Sequence, residues 1–248
     1  MSGDDAAATG ARWREEDSTV FIDHGRAFTP ERERQHEIVC ELIAAAAPCL
    51  NAVELCCGAG DLARLLLERV PGVRLLALDG SEKMLAATRA RCARYADRLE
   101  LRAFELADAS WRDLRPAPDA IYSSLAIHHL DAAQKRRLFA DLRAALHPGG
   151  IFVLADLMRP SSEAGWKIAA ADWQRAVAAR SHALYGDDRA LREFEALRWN
   201  YFLWPADKAI DHPSSVAEHV RWLEAAGFEG IDLHWMLAGQ AILSARRP

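Results

Sequence analysis

Apolar and polar positions along the chain fall into two alternating rhythms. Short, nearly continuous apolar runs at Ala52–Cys56, Val73–Leu78, Leu99–Leu106, Ala120–Leu125 and Ile151–Ala155 predict buried strands. Between them, Leu62–Arg69, Glu82–Tyr95 and Ala132–Leu146 carry helical spacing. Pro30 opens an earlier helix at Glu31–Ala47, with Ile38, Leu42 and Ile43 on one stripe. The helix over 132–146 stops at His147-Pro148-Gly149-Gly150, which cannot continue it. Five strands alternating with helices predict a parallel sheet covered on both faces, with ligands at the carboxyl ends of its strands.

Past residue 160 the pattern changes. Residues 161–205 read as long helices rich in aromatic and polar groups, among them Trp166, Trp173, His182, Tyr185, Trp199, Tyr201 and Trp204. Ser215-x-x-Glu218 matches a capping box and starts a helix that ends at Gly227. Gly230–Leu237 and Gln240–Ser244, joined by a short Ala-Gly turn, predict an antiparallel pair. Residues 1–12 look frayed, and from Arg14 to Pro30 charged and aromatic residues mix. The reading is one α/β domain carrying helical additions.

Composition narrows the class. Of 248 residues, 51% are hydrophobic and 27% charged, a globular profile. The net charge of −5 lacks the bulk footprint of a protein that grips nucleic acid by its phosphates, although it leaves room for a local basic patch. No apolar run approaches the roughly 18 residues of a membrane-spanning helix. No basic region with an apolar core behind it opens the chain. The five cysteines (Cys40, Cys49, Cys56, Cys57 and Cys92) show no C-x-x-C spacing, which disfavours a disulfide framework or a structural zinc site. The expected compartment is the cytoplasm.

The informative stretch is Val53-Glu54-Leu55-Cys56-Cys57-Gly58-Ala59-Gly60-Asp61, a strand running into small residues before a helix. Glycines there let a ligand approach the backbone, and the helix start offers N–H groups. Asp79 follows Gly60 by 19 residues, at the end of the next strand, where a carboxylate can accept hydrogen bonds from a ribose diol. Gly58-Ala59-Gly60-Asp61-Leu62-Ala63 also fits the dinucleotide fingerprint G-x-G-x-x-(G/A). Glu54 discriminates between the two: a pyrophosphate disfavours a nearby carboxylate, whereas an amino-acid ammonium favours it. Asp108, after the third strand, adds an acid that an adenine amino group could donate to.

These residues resemble a family. Glu54–Gly60, Leu78-Asp79-Gly80-Ser81, Ala107-Asp108-Ala109, Ser123–Leu130 and Leu146–Gly150 look like the successive motifs of class I S-adenosylmethionine-dependent methyltransferases. The resemblance covers about residues 50–160, and Gly227-Phe228 with the strand pair also fits. It implies a doubly wound, mostly parallel seven-stranded sheet with an antiparallel last strand, plus an N-terminal and a post-strand-5 helical lid. Residues 1–30 would form the N-terminal lid segment and 31–248 the methyltransferase domain, with its insertion at about 161–213. By the same resemblance Glu54 helps place the methionine ammonium, while Gly58 and Gly60 line the methionine and ribose. Asp79 holds the ribose hydroxyls, and Gly80 and Met84 flank the adenine. Asp108 and Ala109 meet the adenine edge, and Ser124–Leu125 meet the methionine moiety. The family usually has glycine where Cys56 stands, so the loop contact at that position is the detail in question.

Other residues carry open alternatives. Cys56 and Cys57 could be nucleophiles, but Glu54 opposes thiolate formation and buried packing is the expected role. His128-His129 faces the expected cleft, where either, His129 preferentially, could deprotonate an acceptor. The alternative is that one ring orients the loop while the other packs beneath it. No third ligand with recognisable spacing accompanies the pair, so no metal is expected. Arg26 could pair with the cofactor carboxylate or sit on the surface. The 161–205 aromatics could contact substrate or form core. The expectation is metal-free, in-line methyl transfer from S-adenosylmethionine to a small-molecule acceptor, leaving S-adenosylhomocysteine, by a monomer or homodimer. Neither N-P-P-Y nor a paired-glutamate loop follows the fourth strand, which favours a small acceptor. A tRNA wobble-base modifier, a non-catalytic cofactor-binding module and an NAD(P)-dependent reductase are the rivals.

Overall fold

The computed structural model describes residues 15–46, 51–207 and 210–248. Its centre is a seven-stranded sheet of β1 (Asn51–Leu55), β2 (Arg74–Asp79), β3 (Leu99–Ala103), β4 (Ala120–Ser124), β5 (Ile151–Leu157), β6 (Glu229–Leu237) and β7 (Gln240–Arg246). The strand order is β3-β2-β1-β4-β5-β7-β6. The first five strands run parallel, and β7 enters antiparallel between β5 and β6. The chain winds outward from β1 in one direction and then from β4 in the other. Their adjacent carboxyl ends therefore form the switch point where such sheets bind ligands.

Strand periodicity sends alternate residues to opposite faces, so each face needs its own cover. On one face Ala52, Leu75, Tyr122 and Val153 pack with α2 (Arg32–Ala45), α3 (Asp61–Arg69) and α4 (Glu82–Arg91) through Ile38, Ile43, Leu66 and Leu85. On the other, Val53, Leu55, Ile121 and Phe152 pack with α5 (Ala132–Ala145) and α8 (Val216–Ala225) through Leu138, Phe139, Leu142 and Leu223. Both α5 and α8 start in capping boxes, Asp131 with Gln134 and Ser215 with Glu218.

A third apolar cluster joins α1 (Glu15–Phe28) to α6 (Glu163–Tyr185) and α7 (Arg189–Ala196). Phe28 meets the rings of Phe194 and Trp199 at 5.2 and 5.4 Å. Trp173 Nε1 donates to the Phe28 carbonyl at 2.8 Å, and Trp166 Nε1 to the Phe202 carbonyl at 2.7 Å.

Helix α1 is the element that hydrophobic periodicity missed. It buries only Ser18, Gly25, Ala27 and Phe28, so there is no apolar stripe to read. Its acidic first turn, Glu15, Glu16 and Asp17, suits a helix N-terminus. The third strand stops at Ala103, three residues before the predicted Leu106, and the fifth runs on to Leu157. The frayed segment expected over residues 1–12 lies outside the described residues. No described helix is long and apolar enough to cross a membrane.

Candidate cofactor and acceptor site

The chain leaves β1 and β4 through two strained residues. Cys56 has φ 58° and Leu125 φ 54°, left-handed values that cost a side-chain-bearing residue about 1–2 kcal/mol. Both conformations are held by backbone bonds: Cys57 N donates to the Leu78 carbonyl at 2.9 Å, and Leu125 N to that of Ala155 at 2.8 Å. Gly58 follows at φ 55°, and a Cβ there would project into open space. Gly60 plays another part. It caps α3 at φ 79°, and a Cβ would stand 2.8–2.9 Å from Thr88, so it makes a helix crossing and does not line the cavity.

A cavity of about 900 Å³ opens over these strand ends, within the range of small-molecule sites. At one end lies Asp79, whose Oδ2 accepts from Gly58 N at 2.8 Å and whose Oδ1 accepts from Ser81 N at 2.9 Å. Burial pushes its carboxyl up to about 6 despite those donors. Ser81 also caps α4 by accepting from Met84 N, and its hydroxyl donates to Glu15 at 3.0 Å. This pins α1 across the cavity rim. Met84, Phe104 and Leu106 supply apolar walls beside Asp79.

Toward the sheet interior, a recess of about 30 Å³, room for one ammonium-sized group, joins the cavity at Cys56, Gly58, Ser124 and Leu125. Its floor is Glu54, 2% exposed, which accepts from the Tyr122 hydroxyl at 3.1 Å. Burial, with Asp79 adding to it, pushes this carboxyl up to about 8. Such an acid is poised to pair with an entering cation. Opposite it, Arg32 reaches the recess from α2 and contacts Asp61 at 3.2 Å. His36 lies beside it, and burial followed by the Arg32 charge drives its pKa down to about 3.

At the other end of the cavity stand the histidines, in the single turn Ile127–His129 after β4. His129 lines the cavity, whereas His128 sits behind it. His128 Nδ1 lies 2.5 Å from Asp156 Oδ1, and its Nε2 lies 3.6 Å from Asp211 Oδ1. The same Asp211 oxygen is 3.0 Å from His129 Nδ1. Burial lowers the His128 pKa, but the two aspartates outweigh it and the net shift is upward. His129 is shifted down by burial and then by His128. The segment 210–214 that delivers Asp211 is held by Lys135, whose Nζ donates to the His212 carbonyl and to Ser214 Oγ.

The structure gathers Cys56, Gly58, Asp79, Gly80, Met84, Ser124, Leu125 and His129 around one cavity, with Glu54 in its recess. It leaves Asp108 and Ala109 exposed outside the cavity lining. Because β3 ends early, the loop presents Phe104–Ala107 to the cavity instead. Arg26 also falls outside: it pairs with Glu33 at 2.8 Å on the surface, and Arg32, six residues on, occupies the recess. None of the 161–205 aromatics lines this cavity, because Trp166, Trp173 and Phe202 pack against one another. Burial, then Asp79 and Cys57, raise the Cys56 thiol well above its ordinary pKa, which leaves a packing group. Sequence reasoning did not find Arg32, Asp156 or Asp211. Only Asp156 had a local signal, as a lone acid directly after an apolar strand.

A sheet of this order with an acid at the ends of both β1 and β2 defines the class I methyltransferase fold. A methyltransferase-domain family model matches residues 52–150. A trans-aconitate 2-methyltransferase of Paracidovorax citrulli is 30% identical over 222 residues, covering 82% of this chain and 78% of that protein. Another of the same name, from Acidovorax ebreus, is 32% identical over 217 residues, covering 82% and 77%. Human N-acetylserotonin methyltransferase, solved in complex with SAM, superposes with a TM-score of 0.53 at 12% identity. That alignment covers 96% of this chain and spans 60% of that one. The chain belongs to the S-adenosylmethionine-dependent methyltransferases and transfers a methyl group from that donor to a small molecule.

Proposed function

We propose that the acceptor is a small organic acid, methylated on an oxygen, as the name of the trans-aconitate relatives suggests. The observation that carries this reading is the polar end of the cavity, where His129 stands backed by Asp211. S-adenosylmethionine supplies a methyl group already activated by its sulfonium, so the protein's work is alignment, exclusion of water and care of the acceptor oxygen.

The lining residues suit that donor. Glu54 receives the ammonium and Arg32 the carboxylate of its amino-acid end; Asp79 receives the ribose hydroxyls. Met84, Phe104 and Leu106 enclose the base. His129, with its Nδ1 proton directed to Asp211, meets the acceptor through its other nitrogen and takes the proton of a hydroxyl or carboxylic acid. His128, locked to Asp156, positions its neighbour. Helix α1, through Glu15, Glu16 and Phe21, and the segment 210–214, through Ile210 and His212, cover both ligands.

The test is product analysis by mass spectrometry after incubation with S-adenosylmethionine and a panel of small di- and tricarboxylic acids, trans-aconitate included. A mono-methylated acid, with turnover reduced at least 100-fold in His129→Ala, is expected. Turnover only on amines or on tRNA would sink the proposal.

A further inference from the structure

We propose that His128, His129 and Asp211 bind a divalent transition-metal ion at the acceptor end of the cavity. The geometry is that of a ligand cluster. One nitrogen from each imidazole and one Asp211 oxygen lie within 4.8 Å of one another, with His129 Nδ1 and His128 Nε2 at 3.0 and 3.6 Å from the carboxylate. An ion held at about 2.0–2.2 Å from each ligand requires ligand-to-ligand spacings of roughly 3.0–3.5 Å. The 3.0 Å spacing already lies in that range and the 3.6 Å spacing is about 0.1 Å beyond it.

Three further observations point the same way. The far nitrogen of His128 is fixed: Nδ1 meets Asp156 Oδ1 at 2.5 Å, and Asp156 is itself held by His128 N at 3.0 Å and Leu157 N at 2.7 Å. A carboxylate behind a histidine, turning its other nitrogen forward, is the usual support of a metal ligand. The setting is also nearly buried. Asp156 is 1% exposed and Asp211 13% by side chain, so two nearly buried carboxylates face two imidazoles. The neighbouring Lys135 is committed to the His212 carbonyl and Ser214. Finally, His129 and His212 border the main cavity, and no lysine or arginine among the described residues lines it. An ion with two nitrogen ligands and one oxygen keeps open positions there, and zinc, iron(II), cobalt and manganese all suit such a donor set.

The ion's place follows from the proposed function, on which this part rests: an organic acid needs positive charge at its end of the cavity, and the bound dication provides it. With the ion bound, His129 acts as a ligand in place of a base, and the ion holds the acceptor oxygen.

The experiment is calorimetric titration of chelator-treated full-length protein with Zn²⁺ and, separately, Mn²⁺. Saturable one-to-one binding is expected, weakened at least 30-fold in Asp211→Asn and about 10-fold in Asp156→Asn, where only the supporting carboxylate changes. Unchanged affinity for S-adenosylhomocysteine certifies that each variant is folded. Absence of one-to-one binding, or equal affinity in wild type and Asp211→Asn, overturns the site. A parallel assay separates the two proposals. Metal binding without methylation of any acid leaves the site standing and removes the acceptor reading. Methylation that survives chelation unchanged, with no metal bound, does the reverse.

Discussion

Glu54 and Tyr122 are register partners on adjacent parallel strands, and their side chains meet on one face of the sheet through a 3.1 Å hydrogen bond. The pairing holds a carboxyl in the core, beneath the recess, at a place where its ionised form is penalised until a cation arrives. Stability should therefore depend on pH in a defined sense. Glu54 moves from 4.5 to about 8 on folding, and Asp79 from 3.8 to about 6. Folding favours their protonated forms, so this contribution is complete below about pH 4 and is lost as pH rises through 6 and then 8. Thermal melts of the ligand-free protein should decline from pH 5 to 8.5. Glu54→Gln should flatten that decline and be more stable at pH 8 by a few kcal/mol, at about 1.4 kcal/mol per pKa unit. The same variant should bind S-adenosylmethionine at least tenfold more weakly. A melting profile equally steep in wild type and variant would refute the assignment.

The strain at Cys56 yields a second prediction. Its left-handed backbone is costly for cysteine and free for glycine. Cys56→Gly should stabilise the protein by about 0.5–1 kcal/mol after the added chain entropy is counted, or roughly 2 °C in melting temperature for this size. Cys56→Ala keeps the strain and should leave turnover near wild type. A large loss of kcat in Cys56→Ala would restore the nucleophile that the raised thiol pKa argues against.

Arg26 and Arg32 separate cleanly. Arg32→Gln, at the recess, should raise the dissociation constant for S-adenosylhomocysteine at least tenfold. Arg26→Ala removes a surface pair worth about 0–1 kcal/mol and should leave cofactor affinity unchanged. Isothermal titration of both variants decides between them, and equal losses would count against Arg32 as the carboxylate partner.

Lys135 holds the 210–214 segment from beneath. Lys135→Met keeps the packing but withdraws donors from the His212 carbonyl and Ser214 Oγ, at about 1.5–3 kcal/mol for bonds from a charged group. The expected signature is a fall in kcat and a rise in acceptor KM with cofactor KM unchanged, because Asp211 loses its hold on His129. A uniform loss of cofactor affinity instead would mean that the segment serves the whole fold.

Much of this molecule was legible in one dimension. The short apolar runs specify buried parallel strands because both faces of the sheet are covered, and the prolines, glycines and capping boxes between them act locally. The placement of Glu54, Gly58 and Asp79 around the cavity was readable for the same reason: each lies at or just past a strand end whose position follows from the pattern. What the sequence could not decide is held by long-range contacts. Helix α1 has no stripe, since it buries only Ser18 near its start and Gly25, Ala27 and Phe28 at its end. Arg32, and not Arg26, lines the recess because it starts α2, which packs on α3 and β5, whereas Arg26 ends α1 on the surface beside Glu33. Asp211 joins His128 and His129 across some 80 residues only because β5, α6 and α7 carry the chain out and Lys135 ties its return. Local propensity determined the sheet and its ligand-bearing edge, whereas packing free energy, which acts through space and not along the chain, decided which charges face one another there.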